Sequence, residues 1–259
     1  MKILVTFALE NEFAPWRSRH SFREGTWGGA DVHFAALGGA DVAVLLTGVG
    51  PRAAKLAVSK IAWGESGTIE CCVSSGLAGA LRPEYSIAQV LAAREVASEA
   101  LRGAGGAVSV VASSASLLSF VPDSGGIVVN RFYSADRAIS KAEEKKHLGK
   151  SADAVEMEGF EILSAAAEAG IPAVAIRAIS DEAGEDLPLD MNQVFSGEGQ
   201  LSIPRVVGQL ARHPQSLPGL MKLGQQSKKA AESLAQFLDL YISRIAAGAR
   251  SLDLKAAVQ

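Results

Sequence analysis

The chain is short of the residues that several kinds of chemistry require. Its 259 residues include two cysteines, Cys71 and Cys72, which are neighbours in a strand-like run where successive side chains point to opposite faces. That geometry disfavours a disulfide between them, and reduced, buried thiols in a cytoplasmic protein are expected. The four histidines (His20, His33, His147 and His213) lie in unrelated contexts, and no His/Cys cluster has metal-ligand spacing, so no metal is expected. No Gly-x-Ser-x-Gly turn offers the strand-to-helix setting of a Ser-His-Asp nucleophile. No run of Lys and Arg exceeds two residues and the net charge is -3, so the electrostatic footprint of a nucleic-acid binder is missing. No apolar run of membrane-spanning length is free of charge, Gly or Pro, so no membrane span is expected. Ile3 to Leu9, apolar after Lys2, runs at once into Glu10 and Glu12 without a small-x-small cleavage site, and reads as a strand rather than a leader.

What is present suits one large globular domain: 48% of the residues are hydrophobic and 20% charged. Strand-like and helix-like runs alternate, so a layered α/β fold is expected. Ile3 to Leu9 reads as a first buried strand, followed by a short helix from Glu10. Val32 to Leu37 and Val42 to Thr47 read as a hairpin joined by Gly38-Gly39-Ala40-Asp41. Pro51 suits the first position of a helix running to Ala62. Gly48-Val49-Gly50 can bring backbone N–H groups to an anion, but it lacks the third glycine of a dinucleotide fingerprint and the Lys of a P-loop, and reads as a tight turn. Ile69 to Ser75, Ile87 to Ala93 and Gly126 to Asn130 read as strands, with small residues after Ser75 that let a ligand approach the backbone. Residues 95 to 122 are weakly patterned. A helix is expected over 135–148 with Ser134 as its cap, another from Ile203 to Arg212, and a long one from Leu217 to about Ile245.

The chain is organised around Ala154-Val155-Glu156-Met157-Glu158-Gly159. Its acids open an apolar helical run ending near Ala169, where first-turn acids suit the helix dipole. The run after it, Ala173 to Ile179, is a strand from a sheet interior, with Ser180-Asp181 at its carboxyl end. Ligands of α/β sheets bind at that end, so the two halves can converge on one crevice. Glu12, Glu158 and Asp181, with Arg177 and the small or polar Ser75, Gly76 and Ser180, all fall near strand ends or helix starts. Acid/base work by carboxylates is the chemistry this pattern allows.

Ala154-Val-Glu-Met-Glu158 with Ile176-Arg-Ala-Ile-Ser-Asp181, together with Glu10, Glu12 and Thr47-Gly-Val-Gly50, resembles the purine and uridine phosphorylase superfamily. The methylthioadenosine/S-adenosylhomocysteine nucleosidase branch is the similar one over residues 1 to 185. The remaining tail, with Asp186-Leu-Pro188 and Pro214-Gln-Ser-Leu-Pro218, resembles hopanoid-associated phosphorylases, as does Asp136-Arg137 with Glu144-Lys145. The resemblance implies a single-domain three-layer α/β/α fold with a central mixed, partly barrel-like sheet. Residues 1–259 would form one nucleoside phosphorylase-like domain, with 200–259 a helical extension packed on it. It also implies cleavage of the N-glycosidic bond of a purine nucleoside, adenine foremost. Asp181 would be the general acid at the base and Glu12 the base that activates water. Glu158 would hold ribose hydroxyls, Met157 would pack on the sugar, and Phe132 or Tyr133 would stack on the nucleobase. Val155, Glu156, Arg177, Ser180, Ser75, Gly76 and Leu77 complete the implied substrate site; Leu77 stands where nucleosidases carry Ser. No cofactor is implied. Phosphate would be a co-substrate in a phosphorylase, with Arg52, Arg131 and Arg177 as candidate donors, and a non-catalytic nucleoside-binding relative is the third alternative. The partner is a small nucleoside, and a homodimer is expected.

Overall fold

A computed structural model describes residues 1–27, 29–63, 69–99, 108–194 and 202–256, with side chains through residue 249. The chain begins with β1 (Lys2–Phe7) and α1 (Glu10–Arg17), then a meander of β2 (Arg23–Trp27), β3 (Ala30–Leu37) and β4 (Ala40–Leu46). Helix α2 (Pro51–Val58) leads to β5 (Cys71–Ser74), β6 (Leu77–Ala80), β7 (Val90–Ser98) and β8 (Ser109–Ala112). A short α3 (Ala115–Leu118) precedes β9 (Ile127–Ser134), α4 (Ala142–Leu148), β10 (Ala154–Glu156), α5 (Gly159–Glu168) and β11 (Ala173–Asp181). Three helices follow: α6 (Met191–Val194), α7 (Ile203–Arg212) and α8 (Leu217–Ala256).

The described strands form one mixed sheet in the order β2-β3-β4-β1-β5-β11-β6-β10-β9-β7-β8, and β11 also pairs with β7. That extra pairing closes β11, β6, β10, β9 and β7 into a small barrel, while β2 to β5 remain an open wing. Every residue of β11 is buried because the strand sits where wing and barrel meet, which is why its sequence is a continuous apolar run broken only by Arg177, Ser180 and Asp181. β1, β5 and β11 are parallel. Their carboxyl ends therefore share one edge. Two apolar layers flank the sheet: Phe7, Phe13, Trp16, Leu234, Leu238 and Tyr241 place α1 and α8 on one side, and Val58, Phe160, Leu163 and Ala166 place α2 and α5 on the other. Among the described residues no helix is long and apolar enough to cross a membrane.

The hairpin and α7 fall where the sequence puts them, and Cys71 and Cys72 are free and buried. Three expectations need correction. Helix 135–148 begins at Ala142, because Ser134 ends β9 and the Ala135 N–H still bonds Glu156 O at 2.8 Å. Leu77 to Ala80, read as a small-residue turn, is strand β6, wedged between β11 and β10. Ala154 to Glu156 pairs as β10 with β9 before the helix starts. Part of the weakly patterned 95–122 segment supplies the end of β7, β8 and α3; residues 100–107 lie outside the described residues.

Candidate active site

Glu12 owes its position to the turn that follows β1. It is the third residue of α1, and its Oε2 accepts from the N–H groups of Ala8 at 3.0 Å and Leu9 at 3.4 Å. Leu9 has no acceptor to offer in return, so only the acid's half of a capping box is made. Burial pushes the Glu12 carboxyl up to about 6, against the opposing pull of Arg177 and of the backbone donors.

Glu156 and Glu158 play different parts although they are two residues apart. Glu156 Oε2 accepts from Glu158 N at 3.1 Å and Gly159 N at 2.6 Å, capping α5, and forms an ion pair with Arg177. Arg177 in turn donates to Ser74 O at 2.6 Å and Ser74 Oγ at 3.2 Å, so its guanidinium ties β11, β5 and β10 together inside the protein. Glu158, at the N-cap of α5, faces the pocket and accepts from Gly50 N at 2.8 Å. Gly50 has φ +94, a conformation open to glycine at little cost. The turn read as tight gives its Gly50 N–H to a carboxyl that the protein supplies itself. Burial first, then the Glu156 charge, raises the Glu158 carboxyl to about 8, with Arg177 and Gly50 opposing.

A carboxyl raised by folding favours the folded state while protonated. Its contribution is complete below the unfolded value near 4.5 and is lost as pH rises through about 8. Glu158→Gln keeps an acceptor for Gly50 and cannot ionise. The variant is expected to match the parent's Tm near pH 4.5 and exceed it at pH 8; thermal unfolding at both pH values checks this, and a Tm deficit at pH 8 contradicts it.

Asp181 ends β11 beyond an irregularity: Ile179 pairs with Ala78, but Asp181 and not Ser180 pairs with Gly79. The extra residue re-aims the side chain that follows it, the usual work of a bulge beside a site. Asp181 Oδ1 accepts from Ser180 Oγ at 2.9 Å, and Oδ2 accepts from the ammonium of Lys145. A Cβ at position 79 would stand 2.7 Å from Oδ2, so this approach needs Gly79.

These elements enclose a pocket of about 250 Å³. Of the residues expected there, Glu12, Leu77, Val155, Glu156, Met157, Glu158, Ser180 and Asp181 line it. Four do not. Phe132 is fully buried in the apolar core, because β9 runs between β7 and β10 and leaves this mid-strand ring inside the sheet layers. Ser75 donates its hydroxyl to Thr6 O at 2.7 Å, joining β5 to β1. Arg177 stands behind Glu156. Gly76 underlies the site: a Cβ there would lie 3.2 Å from Glu12 Oε2 and 3.8 Å from Arg177 Nε. Of the phosphate-donor candidates, Arg131 is paired with Glu95 and Arg52 is exposed on α2, and neither lines the pocket. The sequence did not point to Arg137, Ala138, Ile139, Met191 and Leu223, which do. Arg137 is itself paired with Glu144.

The phosphorylase superfamily model matches residues 2–210. The chain belongs to the phosphorylase superfamily. It is thereby an enzyme of N-glycosyl-bond cleavage. Solved structures share its fold. One is the 5′-methylthioadenosine/S-adenosylhomocysteine nucleosidase of Helicobacter pylori in complex with a pyrrolidinol carrying an aminopyrrolopyrimidine: 20% identity, 94% of this chain and 98% of that one covered, TM-score 0.71. The Neisseria meningitidis nucleosidase with methylthio-immucillin-A aligns at 19% identity over 94% and 99% of the two chains, with TM-score 0.72. A futalosine hydrolase mutant of Helicobacter pylori aligns at 19% identity over 94% and 99%, with TM-score 0.71.

Proposed function

We propose that this superfamily member hydrolyses the N-glycosidic bond of an adenine nucleoside, with Glu12 activating water, Glu158 holding the ribose hydroxyls and Asp181 assisting departure of the base. Met157 packs against the sugar. The observation that carries the choice of water is the charge around the nucleophile's position. Glu12, Glu156 and Glu158 line that end of the pocket, and the cation behind them, Arg177, is paired with Glu156 and donates to Ser74. A phosphate dianion would face Glu12 and the ion-paired Glu156, with no unpaired guanidinium among the described pocket residues, whereas water carries no charge to repel. Two buried polar atoms at this end have no protein partner, the acceptor Glu156 Oε1 and the donor Arg177 Nε. One acceptor and one donor beside a carboxyl suit a bound water.

The carboxyls also divide the protonation states. Glu158 is raised further than Glu12, so near neutral pH the first keeps its proton while the second is free to accept one. Cleavage passes through an oxocarbenium-like sugar, whose developing positive charge these acids stabilise. The base meets Ile139, Val155 and the Arg137 side chain rather than an aromatic ring. A second cavity, about 370 Å³ and mostly apolar, adjoins the pocket at Asn11, Leu77 and Leu223 and reaches Leu189, Val206 and Leu220. It supports an apolar 5′ substituent on the substrate.

Release of free base from adenosine, 5′-deoxyadenosine, 5′-methylthioadenosine and inosine tests the reading. Adenine release with preference for the apolar 5′ groups is expected; no release from any of them contradicts it. Because Glu12 must be ionised to take a proton from water, kcat/KM is expected to fall as pH drops through about 6 and to level off above it. An acid limb absent down to pH 5, measured on the same substrate, would remove Glu12 as the base.

A further inference from the structure

Lys145 is fully buried. Its sequence, Glu143-Glu144-Lys145-Lys146, is that of a solvated helix face, yet its exposure is zero and all three of its N–H bonds are used. One goes to Asp181 Oδ2, and the others to the carbonyls of Glu182 and Glu185, each at 3.0 Å. Burying an ammonium is costly unless it is paired and fully hydrogen-bonded, and this one is both. It lies behind Asp181, outside the pocket lining, while Asp181 lines the pocket. Three nearby acids are otherwise engaged: the Glu185 carboxylate with Lys222, Asp186 with Lys141, and Glu144 with Arg137.

We propose that Lys145 is a positioning residue for Asp181 and the source of the proton that the departing base takes up. The inference rests on the nucleosidase reading and adds to it the origin of that proton. As the bond from C1′ to the base nitrogen breaks, its electron pair goes to the base. The proton on Lys145 Nζ passes to Asp181 Oδ2 and from that carboxyl to a ring nitrogen. Lys145 is left as a neutral amine, Asp181 as a carboxylate and the base as a neutral molecule. The proton lost by the attacking water goes to Glu12 and returns to Lys145 through solvent after product release. Until then the two carbonyls and Ser180 hold the pair in place, so Asp181 meets the base in one orientation.

The test compares two leaving groups. Adenosine needs a proton on its base; 4-nitrophenyl β-D-ribofuranoside expels a stable phenolate and needs none. In Lys145→Met, kcat on adenosine is expected to fall ~10²-fold or more with KM within about threefold, while nitrophenyl riboside turnover falls only a few-fold. Equal losses on both substrates, or no loss on adenosine, overturn the role. In case Lys145→Met folds poorly with an unpaired carboxylate, Asp181→Asn and the Asp181→Asn/Lys145→Met double variant form a second comparison free of that charge. Equal adenosine rates for these two are expected, since both act on one proton path; a further loss of about tenfold in the double variant overturns it. A parent enzyme that cleaves neither substrate defeats the nucleosidase reading itself, and is thus told apart from failure of Lys145 alone.

Discussion

Asp181→Asn is expected to slow adenine release by roughly 10²–10⁴-fold and to lower Tm, because the buried Lys145 ammonium loses its carboxylate partner. The carboxamide preserves the shape beside Gly79, where a Cβ would already be 2.7 Å from Asp181 Oδ2, and its oxygen can still accept from Ser180 or Lys145. It cannot pass a proton to a leaving nitrogen. The loss therefore appears in kcat and grows with the basicity of the leaving group, so a series of nucleosides with progressively poorer leaving bases shows a steeper falling rate in the variant than in the parent. A variant as fast as the parent on adenosine removes Asp181 from the reaction.

The second large effect falls on the nucleophile. Glu12→Gln is expected to cost roughly 10²–10⁴-fold in kcat, because its amide oxygen still accepts from Ala8 and Leu9 but takes no proton from water. The diagnostic is the pH profile. The parent's acid limb near 6 should vanish from the variant's residual activity, leaving a flat line across that range. A limb that persists unchanged would belong to another group, and Glu12 would be reduced to a structural acid at the start of α1.

Much of this site was legible because three of its carboxyls lie at or just beyond the carboxyl ends of strands. Glu12 after β1, Glu158 after β10 and Asp181 at the end of β11 are placed by the order of strands and helices, and alternation of apolar runs reveals that order. The sequence does not distinguish Glu156 from Glu158 by role. Only the pairing with Arg177, 21 residues on, shows that the first is committed to structure and the second to the pocket. Phe132 misled because the resemblance gave the base an aromatic just past the expected strand, but the strand runs on to Ser134 and buries the ring. Met191 and Leu223 reach the pocket from helices beyond the loop after Asp181, and nothing local in their sequence marks that approach. Lys145 is the extreme case, since a lysine in an acidic, basic-rich turn reads as solvated until its partner 36 residues away is seen.

Water as the nucleophile is tested most directly by following adenine release from 5′-methylthioadenosine in phosphate-free buffer and again with phosphate added, with the sugar product analysed in each. Equal rates with free sugar in both are expected under the proposed hydrolysis, since Glu12, Glu156 and Glu158 line the pocket and Arg177 behind them is paired with Glu156. Release that requires phosphate and yields a sugar 1-phosphate would contradict it.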